Sequence, residues 1–255
     1  MFRRHLGLVL VLILVTTLTL TGLATSSPTL RNDMPDYLKG FQRTVNRQVS
    51  IYPDVYYLSG PEDVRAIALT FDDGPAGDAT SQLLDLLAEE RVRATFFVVG
   101  EKAQEQPDLI QRIVDEDHEL GNHSWSHPDM RKYTNQHILD NELKNTSQVI
   151  SDTVGLAPSI MRPPYGALRD ETIEFLAEER WFIINWSIDS FDWDTTQNSP
   201  EEITEKVLEY SHPGAIVLMH TGEGLDGTIA ALPEIIRVLR EGGYEFVTVS
   251  ELLGL

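Results

Sequence analysis

The sequence contains no cysteine. Disulfides, thiolate metal centres, cysteine nucleophiles and lipoprotein-type thioether anchors are therefore excluded. Basic residues are scarce: 20 Lys and Arg stand against 40 Asp and Glu, a formal charge of −20. Nucleic-acid binding asks for a basic face, so that function class is excluded, and adsorption to anionic lipid is disfavoured on the same ground. No Gly-x-Gly-x-x-Gly turn follows the first strand-like run, which argues against a dinucleotide site. There is no internal repeat and no low-complexity segment.

What is present begins with an export-type segment. Phe2-Arg3-Arg4-His5 is a basic start, Leu6 to Leu23 is a mostly apolar run, and Gly22, Ala24, Ser26 and Ser27 supply small residues before Pro28. The expectation is an exported chain, secreted or envelope-associated. Cleavage near Ala24 is favoured over retention of residues 6–23 as an anchor, the one route to a membrane. Residues 1–25 are thus read as signal or anchor. Residues 26–62 are polar and carry Pro28, Pro35, Pro53 and Pro61, and they read as a spacer arm with one extended stretch near Val55-Tyr56-Tyr57-Leu58. Residues 63–255 read as one catalytic domain, expected to be monomeric.

From Val64 onward apolar runs alternate with amphipathic ones. Strands are expected at 66–71, 94–99, 119–122, 160–162, 182–187, 215–219 and 246–249, and helices over 79–90, 108–115, 136–154, 170–179, 200–210 and 228–241. Repeated β/α alternation specifies an α/β fold with a mostly parallel sheet, either a barrel or an open doubly wound sheet.

In such folds chemistry collects at the C-terminal ends of the strands. Those ends carry Asp72-Asp73, then His123-Ser124-Trp125-Ser126-His127, then Arg162-Pro163-Pro164-Tyr165-Gly166, then Asp189 with Asp192-Trp193, and finally Leu218-Met219-His220. His123 and His127 are four apart, a chelating spacing on a helical turn. With one carboxylate from the first strand end they make an open three-ligand set. Its donors are nitrogen and oxygen without sulfur, so Zn²⁺ is the first choice of cofactor, ahead of Co²⁺, Ni²⁺, Mn²⁺ or Fe²⁺. The neighbouring Asp is then available to take a proton from water whose pKa the metal lowers. Arg162 can hold that base ionised, and the Tyr165 backbone N–H can face a developing oxyanion. His220 reads as a general acid oriented by Asp189. Trp186, Trp193 and Tyr165 offer flat surfaces for sugar rings.

The ordered set TFDDGP (70–75), HSWSH (123–127), RPPYG (162–166), DSFDW (189–193) and LMH (218–220) resembles the NodB-homology polysaccharide deacetylases, over about residues 64 to 253. The resemblance implies a distorted (β/α)₇ barrel and a metal-dependent hydrolase that removes acetyl groups from carbohydrate. Carried over by position, Asp72 is the base; Asp73, His123 and His127 are the metal ligands; Arg162 positions the base; and Tyr165 donates to the oxyanion. His220 is the acid and Leu218 lines the acetyl pocket. Trp193 and Pro164 belong to the substrate groove. Asp189 is expected to partner His220, with Asp192 as rival. An exported chain of this kind points first to peptidoglycan N-acetylglucosamine, then to chitin oligomers or acetylated xylan. The different-class rival is an inactive carbohydrate-binding barrel, against which stand the intact Asp72, Asp73, His123 and His127.

Overall fold

The computed structural model describes residues 36–222 and 226–255; the export-type segment and the first part of the arm lie outside the described residues. The chain enters through α1 (Asp36–Ile51) and β1 (Tyr56–Tyr57), then β2 (Ala66–Gly74) and α2 (Gly77–Glu90). Next come β3 (Thr95–Val98), α3 (Gly100–Glu105), α4 (Pro107–Asp115) and β4 (Glu119–Asn122). A continuous helical stretch follows, made of α5 (Asn135–His137), a π-helical segment (Ile138–Leu143) and α6 (Lys144–Val154). The remainder is β5 (Ile160–Met161), α7 (Asp170–Glu178), β6 (Phe182–Ile184), β7 (Ile188–Asp189), α8 (Pro200–Tyr210), β8 (Ala215–His220), α9 (Asp226–Glu241), β9 (Glu245–Phe246) and α10 (Val249–Leu253).

The strand β2 is apolar on both faces, as a parallel strand covered on both sides must be. Its outward residues Ile67, Leu69 and Phe71 pack under the outer helices, with Leu83, Leu84 and Leu87 of α2 and Leu232, Ile235 and Ile236 of α9. Its inward residues Ala66 and Ala68 join Phe97, Ile160, Ile184 and Ile216 in a separate interior cluster. Val249 and Leu252 of α10 belong to that cluster, so α10 plugs the barrel at the strand N-terminal ends. Alternate residues thus serve two cores, which is the period of a strand used twice.

All the strand ladders are parallel, in the order β1-β6-β5-β4-β3-β2-β8-β7, with β9 added beside β2. The segment between β6 and β7 ties the ends of this curl together. Asn185 N–H donates to Tyr57 O at 2.8 Å, and Ser187 N–H donates to Ile216 O at 3.1 Å. The result is the distorted parallel (β/α)₇ barrel that the motif set implied. Three register pairs matter for chemistry: Asp72 lies beside His220, Val98 beside Asn122, and Asn122 beside Met161. They bring the ends of β2, β8, β4 and β5 to one rim.

Several local expectations change. The polar arm contains a four-turn helix, α1, where only an extended stretch near residues 55–58 was expected. Phe41, Val45, Val49 and Tyr52 recur at helical spacing and pack into one hydrophobic cluster, so the period is present in the sequence and tertiary contacts add to it. Val45 and Gln48 are buried, and Gln48 Nε2 donates to Leu168 O at 3.0 Å. The strand expected at 182–187 ends at Ile184 as β6, and a separate β7 follows at Ile188–Asp189 once the chain has crossed between barrel edges. The strand expected at 246–249 ends at Phe246, because Thr248 and Glu251 form a reciprocal capping box that starts α10.

Candidate active site

Asp72 and Asp73 share one cavity because of one backbone angle. Asp72 continues the inward register of β2, and its side chain is buried. Asp73 takes a left-handed φ of 70°, an uncommon conformation for a non-glycine residue. The turn leaves both carboxylates lining the same cavity, although successive strand residues ordinarily face opposite sides. Ser124, His127, Tyr165 and Phe191 also have positive φ, each at a strand-end motif. Strain of this kind persists where surrounding structure holds a functional geometry in place.

Arg162 lies inside the barrel with no solvent exposure. Its Nη1 donates to Asp72 Oδ1 at 2.7 Å and to Thr70 Oγ1 at 2.8 Å. Nε donates to Ile184 O and Nη2 to Asn185 O, both at 3.1 Å. The guanidinium also sits 4.2 Å over the Phe97 ring. Burial pushes its pKa down, and the Asp72 carboxylate opposes that shift. An isolated buried charge would be prohibitive, whereas this one is paired, hydrogen-bonded through each of its three nitrogens and packed on an aromatic face.

Asp73, His123 and His127 offer one ligand atom each, all within 4.8 Å of one another. Asp73 Oδ1 is 3.4 Å from His123 Nε2 and 3.2 Å from His127 Nε2. His123 Nδ1 is 2.8 Å from Arg162 O, so Nδ1–H donates to the carbonyl and Nε2 keeps its lone pair. Asp73 Oδ1 is buried and has no hydrogen-bond partner. An unsatisfied carboxylate oxygen facing two imidazole nitrogens is a donor set that fits a divalent cation, and it is costly without one.

The loop carrying the histidines is held by a residue that the sequence reading did not single out. Glu142 Oε2 accepts the N–H groups of Trp125 and Ser126, each at 2.9 Å, and Oε1 accepts from Ser126 Oγ at 3.1 Å. Glu142 is buried in the π-helical segment, a feature that often marks functional sites. Its signal was legible: an acid three residues after Leu139 and beside Leu143, on the apolar stripe of the helix.

His220 closes the site opposite Arg162. Of the two carboxylates that could orient it, the partner is Asp192 and not the favoured Asp189. Asp192 Oδ1 is 2.7 Å from His220 Nδ1, and its Oδ2 accepts His220 N–H and Thr228 Oγ1, each at 2.8 Å. Burial lowers the affinity of His220 for a proton, but the hydrogen bond and charge of Asp192, with the carboxylates of Asp72 and Asp73, raise its pKa to about 9. Asp189 turns the loop instead. Its Oδ1 accepts Phe191 N–H at 2.9 Å and Trp193 Nε1–H at 3.2 Å, which aims Trp193 at the cavity. Burial pushes Asp189 up to about 6.

Asp72, Asp73, His123, His127, Asp189 and His220 line one cavity of about 840 Å³, with Arg162, Glu142 and Asp192 buried behind it. Leu218 and Trp193 line it, as does Tyr165, which is 61% exposed and packs edge-on against His127 with ring centroids 4.9 Å apart. Pro164 is buried in the turn, and its neighbour Pro163 is the proline that lines the cavity.

The family model described as polysaccharide deacetylase matches residues 59–179. A peptidoglycan-N-acetylglucosamine deacetylase of Bacillus cereus is 38% identical over 199 residues, covering 77% of this chain and 71% of that protein. The chain belongs to the polysaccharide deacetylase family. A peptidoglycan-N-acetylglucosamine deacetylase of Listeria monocytogenes, PgdA, is 40% identical over 190 residues, 74% of this chain but 39% of that longer protein. Among solved structures, the peptidoglycan N-acetylglucosamine deacetylase Bc1960 superposes with a TM-score of 0.77 at 36% identity, covering 81% of this chain and 96% of that one. The enzyme class read from the motifs, a polysaccharide deacetylase, agrees with the family and with these relatives. Asp72, Asp73, the histidine pair and Arg162 fall within residues 59–179, whereas the His220–Asp192 pair lies beyond them and rests on its own geometry.

Proposed function

We propose that this deacetylase hydrolyses the N-acetyl group of N-acetylglucosamine units in peptidoglycan, with a divalent metal held by Asp73, His123 and His127. The observation that carries the reading is a single cavity in which an arginine-held carboxylate and a carboxylate-held histidine flank a three-ligand set with an orphaned oxygen. The nitrogen and oxygen donors favour Zn²⁺. The names of the relatives support peptidoglycan as the substrate. An export-type segment at residues 2–27 would deliver the chain to where that polymer lies.

When bound, the metal supplies Lewis acidity, lowering the pKa of water and polarising the acetyl carbonyl. The chain's own residues handle the protons. Arg162 engages Asp72 Oδ1, and Asp72 Oδ2 faces His123 Nε2 at 3.6 Å. Asp72 takes a proton from the attacking water as the new C–O bond forms. The Tyr165 backbone N–H donates to the tetrahedral oxyanion. His220, its Nδ1 held by Asp192, donates from Nε2 to the departing nitrogen as the C–N bond breaks. Acetate and a free amine leave.

The test is acetate release from peptidoglycan, N-acetylglucosamine oligomers and acetylated xylan at equal acetyl concentration. Peptidoglycan is expected to have the highest kcat/KM. Preference for the xylan ester would overturn the N-acetyl assignment, and preference for the oligomers would move the substrate to chitin-type chains.

The acid role fixes a pH dependence. His220 acts in its protonated form, so kcat/KM holds below its pKa and falls as pH rises through about 9. The groups facing it are Asp192 by hydrogen bond, with Asp72, Asp73 and Asp189 at longer range. Asp192→Asn removes the nearest negative charge: its one oxygen keeps the His220 backbone N–H and Thr228 donors, and its amide NH2 replaces the acceptor that faced Nδ1, which also favours the neutral imidazole. The alkaline limb of the kcat/KM profile is expected to move down by at least about one pH unit. A limb that stays in place would remove His220 from the acid role.

A further inference from the structure

The helix α1 lies ahead of residues 59–179, the stretch matched by the family model, yet it places a side chain in the reaction cavity. Phe41 lines the cavity and stacks on Trp186, with ring centroids 5.7 Å apart and planes 25° from parallel. Trp186 in turn approaches the buried Arg162, whose guanidinium carbon is 5.7 Å from the indole ring. The order outward from the reaction centre is therefore Arg162, Trp186, Phe41.

The stack is built in, not incidental. Gly166 sits beneath both rings, and a Cβ there would lie 2.7 Å from Phe41 Cζ and 2.7 Å from Trp186 Cη2. The φ of +64° at Gly166 is also one that side-chain-bearing residues rarely adopt. The helix behind Phe41 is pinned to the start of α7. Arg47 forks onto both oxygens of Asp170 at 2.7 Å each, Gln48 donates to the same carboxylate at 3.0 Å, and Tyr52 bonds Glu174 at 2.9 Å. A cavity of about 840 Å³ holds far more than an acetamide group, so the space beside this wall is available to a further unit of the substrate chain.

We propose that Phe41 is a specificity-determining residue, forming with Trp186 an aromatic wall against which the sugar unit adjoining the reacting N-acetylglucosamine stacks its apolar C–H face. The inference rests on the deacetylase reading above. It makes α1 part of the substrate site, and it assigns chain-length preference to a segment outside the matched stretch.

The test compares wild type, Phe41→Ala and Phe41→Tyr on N-acetylglucosamine tetrasaccharide and monosaccharide, with Zn²⁺ affinity measured by calorimetry. In Phe41→Ala the KM for the tetrasaccharide is expected to rise about tenfold. The kcat, the monosaccharide kinetics and the Zn²⁺ affinity should change less than about twofold, and Phe41→Tyr should restore the tetrasaccharide KM. An unchanged tetrasaccharide KM overturns the proposal. So does an equal loss on both sugars, or a loss of Zn²⁺ affinity, because either shows that Phe41 only supports the fold. If the wild type releases no acetate from either sugar, the deacetylase reading itself fails, which is a different result from an active wild type matched by Phe41→Ala.

Discussion

Asp72→Asn is expected to lower kcat by about 10² to 10⁴ while leaving the metal site able to bind. The amide cannot accept the proton of water, although its oxygen can still receive Arg162 Nη1. The substitution also has a structural cost. Arg162 would then carry a charge inside the barrel with no counter-charge in contact: Asp189 acts on it only at longer range, and the other acceptors of its N–H groups are the Thr70 hydroxyl and the carbonyls of Ile184 and Asn185. Removing one partner of a buried ion pair typically costs about 3–5 kcal/mol. Two measurements separate the effects. Steady-state turnover is taken well below the melting transition of the variant, where the folded fraction is complete. Zn²⁺ binding to the same sample is measured by calorimetry and should stay near the wild-type value, because Asp73, His123 and His127 are intact. A variant that is folded, binds metal and turns over at the wild-type rate would remove Asp72 from the base role.

The features legible in the sequence were those with a strong local cause. The alternation of apolar and amphipathic runs located β2 and β8 because each is a continuous buried strand. The motif residues stood out because carboxylates, histidines and an arginine directly after such runs must lie at a strand end. The pairing of His220 was not legible. Asp189 and Asp192 are three residues apart on one loop, and the positive φ of Phe191 decides which carboxylate turns under the histidine. The helix α1 was hidden for another reason. Its apolar face is Phe41, Val45 and Val49 at helical spacing with the buried amide of Gln48 beside them, a period that was present but masked by the polar residues and prolines of the arm around it. Glu142 falls between these cases. The acid on an apolar stripe was visible, but its purpose needed the HSWSH turn in place before the two accepted N–H groups could be seen.

Removing the metal is expected to abolish activity, and the three ligands should not contribute equally. A chelator should take acetate release to background, and added Zn²⁺ should restore it. The metal-free protein should melt lower, since a cation present at 100 times its dissociation constant stabilises the folded state by about 2.7 kcal/mol. His123→Ala is expected to weaken Zn²⁺ binding more than His127→Ala. His123 is buried, and its Nδ1–H satisfies Arg162 O, so its loss removes a ligand and also strips a hydrogen bond from the backbone of the residue that holds Asp72. His127 is partly exposed and touches Tyr165 edge-on, so water can take its place at the ligand position. Asp73→Asn tests the third ligand differently. It keeps the shape of the side chain but removes the charge that the buried Oδ1 presents to the two imidazoles. Calorimetric titration of Zn²⁺ into each variant should give the order His123→Ala weakest, then Asp73→Asn, then His127→Ala, with acetate release falling in the same order. Activity that survives chelation at the wild-type rate would overturn the metal assignment. It would leave Asp73 Oδ1 as a buried anion with no chemical purpose, a costly feature in a rim where the neighbouring Asp72 and Asp192 are both satisfied.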